Sequence, residues 1–207
     1  TILTVTAAFL FVGCGPKADP VMVGKVNNYF TATSTKTYAG SGKYKPMPLA
    51  IGQFVTHGNT EDDGKRSVSR TAIVGKEGRG WILETYSINE HSESVTQMLI
   101  VGLENMHTAQ GLENLDILWV KIKDESGQIQ TIEGPPLMMA KSFYKSALQS
   151  FDISAITKQA SGADITVPAG TFKNTFSADA EMSMLGMTFR STSWFHEKVP
   201  VNGMVTS

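Results

Sequence analysis

The order of apolar and polar residues divides most of the chain into short alternating segments. Alternation of apolar with polar or small residues is typical of a sheet with one buried face. Six such segments precede the last third of the chain: residues 51–57, 67–74, 81–88, 95–101, 117–123 and 128–132. Because most of the turns between them are short, the pattern predicts antiparallel neighbours in a meander.

One segment has the periodicity of a helix. Gly134-Pro135-Pro136 suits a helix start, and after it the apolar residues of 137–151 recur on one face. The last third returns to strand patterns at residues 164–167, 171–178, 187–195 and 204–206. The sequence therefore predicts a mainly β (α+β) fold with one main helix.

Residues 1–13 form an uncharged apolar run that ends directly before Cys14, the only cysteine of the chain. Phe11-Val12-Gly13-Cys14 resembles the lipobox of bacterial lipoproteins, in which an export signal is cut before a cysteine that receives acyl chains. The resemblance implies a signal peptide over residues 1–13, lipidation of Cys14 and a lipid-anchored tether over residues 14–30. The alternative is a buried N-terminal strand with a core cysteine, which Gly15-Pro16 disfavours because it breaks the run.

Composition excludes several classes of function. The net charge is −1, and the 18 Lys and Arg residues are scattered among 19 Asp and Glu, so we expect no nucleic-acid partner. With Cys14 acylated, no thiol remains for a disulfide or a cysteine metal site. Hydrophobic content of 41% with 18% charged residues is ordinary for a single globular domain, assigned to residues 31–207. We expect this domain to be a monomer.

The sequence contains no complete catalytic motif, which favours a protein that is not an enzyme. His196-Glu197 lacks the second histidine of a zinc-protease helix, and Pro200 stands where that histidine would be. The glycines of residues 75–80 precede no helix that could bind phosphate. We therefore expect no metal and no cofactor. An enzyme would require at least two of these residues to meet in one cleft: His57, Glu84, His91, Asp179 and His196.

Three motifs near the end of the chain resemble a known group of proteins. Val167-Pro168-Ala169-Gly170-Thr171-Phe172 is followed by Trp194-Phe195 and Val199-Pro200-Val201. They resemble bacterial envelope proteins that share a fold with the lipoprotein localisation factors. The resemblance implies a curved antiparallel half-barrel sheet with one main helix on its concave side. Taken alone, the motifs are turn formers and packing aromatics, which identify a scaffold and no reaction.

The resemblance also implies a site and a function. In the localisation factors the concave face binds the lipid of a passenger protein under a helix, and here residues 137–151 would be that cover. We therefore expect non-enzymatic binding of a lipid or an acylated protein, beside a membrane of the cell envelope, in the outer membrane facing the periplasm. The residues expected to contact the apolar ligand are Leu137, Tyr144, Leu148, Phe172, Met184, Met187 and Trp194.

Two alternatives remain open at this point. The ten methionines suit a pocket for flexible hydrocarbon, but they also fill cores without any ligand. The second alternative is a structural or protein-interaction module of the envelope, with a filled core and contacts through a sheet edge or loops. A polar excursion over residues 102–116 could act as a rim or lid loop.

Overall fold

The computed structural model describes residues 18–31, 33–42, 44–124, 126–149, 160–184 and 187–207. The predicted signal segment and Cys14 lie outside these residues. The described helices, in chain order, are α1 (Pro20–Thr31), a 3-10 turn (Leu103–Asn105), α2 (Ala109–Glu113) and α3 (Gly134–Gln149). The described strands are β1 (Thr37–Tyr38), β2 (Phe54–Thr60), β3 (Arg66–Glu77), β4 (Gly80–Asn89), β5 (Glu93–Val101), β6 (Asp116–Lys123), β7 (Ile129–Ile132), β8 (Ala160–Val167), β9 (Gly170–Met184), β10 (Met187–Phe195) and β11 (Met204–Thr206).

Strands β2 to β7 form a six-stranded antiparallel sheet in which each strand pairs with the next in sequence. The first turn shows why the chain reverses there. Gly64 has φ of 85° and donates its N–H to the Glu61 carbonyl at 2.9 Å, a left-handed conformation that glycine adopts without a side-chain penalty. The predicted meander and the mainly β fold with a curled half-barrel sheet are confirmed.

The face of this sheet that carries its aliphatic core is called the inner face. Cross-strand pairs Ile73↔Leu83 and Leu83↔Met98 continue to Val120, and residues directly opposite each other share a face. Ile73, Ile100 and Ile117 are essentially inaccessible to solvent. The cluster is completed by Leu83, Leu103, Leu115 and Val120. Burial of this surface is the main stabilising contribution of the sheet.

The excursion between β5 and β6 is part of this core. It folds into the 3-10 turn and α2, and its residues Leu103, Leu112 and Leu115 are buried. Thr108 caps α2 by accepting the Gly111 N–H at 2.9 Å. The segment predicted as a rim or lid loop therefore packs against the end of the sheet.

The opposite, outer face of the sheet is covered at one end by α1. Val26 of α1 is buried against Val68 and Ile88. Gly58 lies in the same cross-strand row, and a Cβ there would lie 2.8 Å from the ring of Phe30, so this close approach requires glycine. A packed helix therefore lies within the segment that the sequence assigned to the tether.

A second sheet contains β1, β8, β9, β10 and β11. One of its pairings joins distant parts of the chain: β1 pairs in parallel with the start of β9 through Tyr38↔Phe172. Strands β8, β9 and β10 follow one another closely in sequence and pair antiparallel. Its core is aromatic. Phe176 and Phe195 pack with Tyr44, whose ring meets Phe176 edge to face at 5.5 Å.

The two sheets share buried contacts. Val55 of β2 packs against a cluster of Phe172, Val199 and Val205. Val201 packs against the inner-face cluster although its φ is 68°, which is rare for a β-branched residue. The Asn202 N–H donates to the Pro200 carbonyl at 2.9 Å, so the Val-Pro-Val motif forms a strained γ-turn. Burial of the Val201 side chain helps to offset that strain.

Candidate functional site

The helix predicted as a cover, α3, contacts the inner-face cluster through two of the predicted site residues. Leu137 and Tyr144 are partly buried and pack against the cluster. They are two helical turns apart, so they lie on the same side of α3. Burial raises the pKa of the Tyr144 hydroxyl to about 12, because an apolar environment disfavours the phenolate.

The other side of α3 faces solvent. Met138 and Met139 are 68% and 73% exposed, so they lie away from the core. Lys141 connects α3 to the start of β6 through an ion pair with Asp116, with Nζ 2.9 Å from the carboxylate oxygen. The described attachment of α3 therefore includes a short apolar seam, a contact with α2 and one partly exposed ion pair, which contributes little.

The remaining predicted site residues do not join Leu137 and Tyr144. Phe172 is buried in the second sheet, stacked on Tyr38 at 4.5 Å between ring centroids. Trp194 lies on β10, opposite Ser177 and Thr206, and is half-buried. The side chains of Leu148, Met184 and Met187 lie outside the part of the structure that is described. Of the methionines with described side chains, Met98 and Met106 pack against the inner-face cluster.

A groove of about 590 Å³ opens on the outer face of the six-stranded sheet, beside α1. Its floor contains two adjacent cross-strand rows: Arg70, Tyr86 and Val95 in one, Ala72 and Glu84 in the other. Its sides are formed by Tyr29 of α1, by Ile51 and Gly52 before β2, and by Val74. This volume is in the range of small-molecule sites.

Charged groups lie in this groove next to aromatic ones. The Arg70 guanidinium stacks on the ring of Phe54, 4.1 Å from its centroid, and Glu84 accepts a hydrogen bond from Gln97 at 2.7 Å. The Tyr86 hydroxyl donates to Glu93 at 2.7 Å. Burial raises the pKa of Tyr86, and the bond to Glu93 and the nearby Tyr29 act in the same direction.

The alternation of apolar and polar residues did not predict the groove. Arg70 and Glu84 share a face because the pairing of β3 with β4 shifts register between Ile73 and Gly75, and strand periodicity does not reveal such a bulge. What the alternation could not show is that α1 covers the neighbouring row and leaves these two uncovered.

The residues considered for catalysis are separated by the sheet. His57 shares the inner face with Ser69 and Ser87, whereas Glu84 is on the outer face. His57 Nε2 donates to the Met204 carbonyl at 3.1 Å, and the His196 backbone N–H donates to Gly203 at 2.8 Å. These two histidines therefore meet adjacent residues at the start of β11.

Burial lowers the pKa of both histidines. For His57 the hydrogen bond to Met204 acts in the opposite direction. For His196, the Glu197 carboxylate and the Lys173 backbone oppose the effect of burial, and Lys198 adds to it. Both side chains are therefore neutral at pH 7. Both histidines lie at the junction of the two sheets and contribute to its structure.

The described residues contain neither a cluster of metal ligands nor a membrane-spanning helix. No group of three His, Cys, Asp or Glu side chains there could hold a metal ion. In the same part of the chain, no helix has the length and apolar composition needed to cross a bilayer.

Comparisons with protein-family models, with curated proteins and with solved structures find no match to this chain. The resemblance to the lipoprotein localisation factors stays a prediction from the sequence motifs.

Proposed function

We propose that this chain is the body of a lipid-anchored envelope protein that binds an acyl chain, without catalysis, between α3 and the inner face of the six-stranded sheet. The observation that carries the proposal is the seam under α3. Leu137 and Tyr144 rest there on a surface of buried aliphatic side chains, beside a contact of α3 with α2 and one ion pair.

An acyl chain could enter between the helix and that surface without a large penalty. Its methylenes leave water on entry, and each one that is buried contributes about 0.8 kcal/mol. Displacing α3 would break the partly exposed Lys141–Asp116 pair, which costs at most about 1 kcal/mol. Binding therefore lifts α3 from the sheet, while Leu137 and Tyr144 stay in contact with the hydrocarbon.

The test compares two substitutions on opposite sides of α3. In Leu137→Glu a carboxylate faces the aliphatic surface, so we expect binding of a fluorescent fatty acid to weaken by about tenfold or more. Met138→Glu introduces the same charge at an exposed position and should bind as the unsubstituted protein does. Urea unfolding of both variants checks that they are folded.

The proposal fails if the unsubstituted protein neither copurifies with acyl lipid in native mass spectrometry nor binds the fatty acid saturably. Equal weakening by Leu137→Glu and Met138→Glu would also contradict it. Neither outcome depends on how the protein is anchored.

The anchor is tested separately. We propose that Cys14 carries acyl chains that hold the protein in the outer membrane, facing the periplasm. In a bacterial host, Cys14→Ser should move the protein from the membrane to the soluble fraction or leave an unprocessed precursor. A Cys14→Ser protein that stays membrane-bound and is processed normally would refute lipidation at this cysteine.

A second candidate is an interaction module with a filled core, favoured by the complete burial of Ile73, Ile100 and Ile117. Its contact surface would be the edge at β7, the last strand of the six-stranded sheet, where Ile129 is 68% exposed. A protein that binds no fatty acid and loses an envelope partner on Ile129→Lys would support this candidate over lipid binding.

A further inference from the structure

The groove on the outer face has a charge arrangement that its own residues do not neutralise. Arg70 and Glu84 are diagonal neighbours, because Arg70 pairs with Tyr86 and Glu84 pairs with Ala72. Diagonal positions are about 7–8 Å apart. Among the described residues, however, neither side chain takes part in an ion pair. A positive and a negative group therefore both remain available in one groove.

The positive group is held in place before any ligand arrives. Stacking on the ring of Phe54 restricts the Arg70 guanidinium and leaves its N–H edge free of the ring. A guanidinium presents those donors in a planar fork that matches a phosphate or a carboxylate. Because the side chain is already positioned, less conformational entropy is lost when an anion binds.

The negative end of the groove is aromatic. Glu84 lies on the same strand as Tyr86, two residues away, and Tyr29 of α1 closes that side. Tyrosine faces attract cations through their quadrupole, and a carboxylate adds a full charge. Glu84 donates no hydrogen bond when ionised, so it favours a partner that brings only positive charge or N–H donors.

We infer that this groove is a binding site for a small soluble zwitterion, with an acidic phosphate on Arg70 and a quaternary ammonium between Glu84, Tyr29 and Tyr86. The apolar side chains of Ala72, Val74 and Val95 would contact the carbon atoms that join the two charges. Phosphocholine has this chemistry and is the probe of choice. The site is separate from the surface under α3, because the two lie on opposite faces of the sheet.

A free molecule fits the groove better than a membrane-bound head group. Asp19, the residue before α1, donates its backbone N–H to the Glu90 carbonyl at the β4–β5 turn. The groove is centred on residues 84–86 of β4, which are four to six residues from Glu90 and hence about 13–20 Å along the strand. An anchor attached before α1 would therefore hold the β4–β5 turn, and not the groove, nearest the lipid.

The experiment is a calorimetric and NMR titration of the full chain with phosphocholine, choline and ethyl phosphate. We expect saturable binding of phosphocholine with a Kd on the order of 1 mM or lower. Choline and ethyl phosphate, which each carry one of the two charges, should bind more weakly. Arg70→Gln should weaken phosphocholine by about tenfold or more. Glu84→Gln should weaken the binding of phosphocholine but not that of ethyl phosphate, so the variant should no longer prefer phosphocholine.

Arg66→Gln is the matched control. Arg66 lies on the same strand and the same face and also stacks on an aromatic ring, Phe30, at 4.9 Å. It lines no part of the groove, so its replacement should leave phosphocholine affinity unchanged within about twofold.

Three outcomes would overturn the inference. The first is an unsubstituted protein that shows no saturable response to phosphocholine. The second is equal weakening by Arg66→Gln and Arg70→Gln, which would indicate a general charge effect. The third comes from Cys14→Ser protein and phosphatidylcholine vesicles: binding to the vesicles without binding to soluble phosphocholine would identify a membrane-docking surface instead.

Discussion

The six-stranded sheet and the second sheet differ in how their strands are joined. In the first, every strand pairs with its neighbour in sequence, and the inner core is aliphatic. In the second, β1 pairs with β9, which lies near the other end of the chain, and the core is aromatic. The first sheet can form from local hairpins, as can β8, β9 and β10 of the second, whereas the pairing of β1 with β9 requires distant segments to meet. Long-range closure carries a larger entropic cost and needs strong contacts to offset it.

The two sheets are nevertheless joined by buried contacts. Val55 belongs to the first sheet but packs with Phe172, and Val201 belongs to the turn before β11 but packs on the inner face. We therefore expect the two sheets to unfold together. If the sheets instead unfolded independently, a substitution in one sheet would leave the unfolding midpoint of the other unchanged.

The largest effect is expected at Phe176, which is 2% exposed in the aromatic core. Phe176→Ala should lower the free energy of unfolding by about 3–5 kcal/mol. Urea unfolding with Trp194→Phe as background would report only on Trp81 and Trp119, which lie in the six-stranded sheet. If Phe176→Ala shifts the urea midpoint reported by the fluorescence of these two tryptophans, the sheets unfold together. An unchanged midpoint would show that the sheets unfold independently.

A comparable loss is expected in the aliphatic core. Ile100 is fully buried, and Ile100→Ala should lower the free energy of unfolding by about 2–5 kcal/mol. Val74, 40% exposed on the same sheet, is the control, and Val74→Ala should change it by no more than about 0.5 kcal/mol. If the two variants had the same urea midpoint, the inner cluster would contribute no more than the surface does.

The junction of β1 with β9 can be weakened at one glycine. Gly170 has φ of 134°, and a Cβ there would clash with the Lys36 carbonyl. Gly170→Ala should therefore lower the free energy of unfolding by more than the roughly 1–2 kcal/mol that left-handed backbone strain alone would cost. Gly64→Ala, with φ of 85° and open space around the added atom, measures that strain by itself. Equal urea midpoints for the two variants would mean that the close approach of the Lys36 carbonyl to residue 170 does not contribute to stability.

The smallest effect is expected from pH. Burial lowers the pKa of His57 and His196 in the folded state, so below about pH 6.5 the unfolded chain binds protons that the folded chain does not. Stability should be full above pH 6.5 and fall gradually as the pH drops towards 5.

Urea midpoints measured at pH 7.5, 6.5 and 5.5 check this dependence. His57→Gln keeps an amide donor for the Met204 carbonyl and should flatten the dependence. His91 lies at the exposed β4–β5 turn, so His91→Gln should leave the dependence as it is. An increase in stability on acidification would contradict the proposed neutral histidines.

Much of the six-stranded sheet could be predicted from the sequence. Period-two alternation and glycine turns indicated β2 to β7, and the amphipathic pattern indicated α3, because these signals depend on neighbouring residues. Helix α1 was missed. Its sequence contains Gly24, two asparagines and several valines, which are weak helix formers, so it depends on packing against Val68 and Ile88.

The site could be predicted only in part. Leu137 and Tyr144 lie on one side of α3 and pack against the inner-face cluster, because helical spacing fixes which residues share a side. Their contact with a ligand stays a prediction. Phe172 could not be assigned from its motif, since its partner Tyr38 lies far away in sequence. The groove between Arg70 and Glu84 depends on where α1 ends its coverage, and no local pattern contains that information.

By itself, the sequence determined where most of the strands and α3 lie, and that the only cysteine follows an apolar run. Tertiary structure decided that β1 joins β9, that α1 covers only one end of the outer face, and that the two sheets share a core. The physical reason is the range of the interactions. Strand alternation and turn geometry act over a few residues, whereas burial and groove formation depend on segments that only the folded chain brings together.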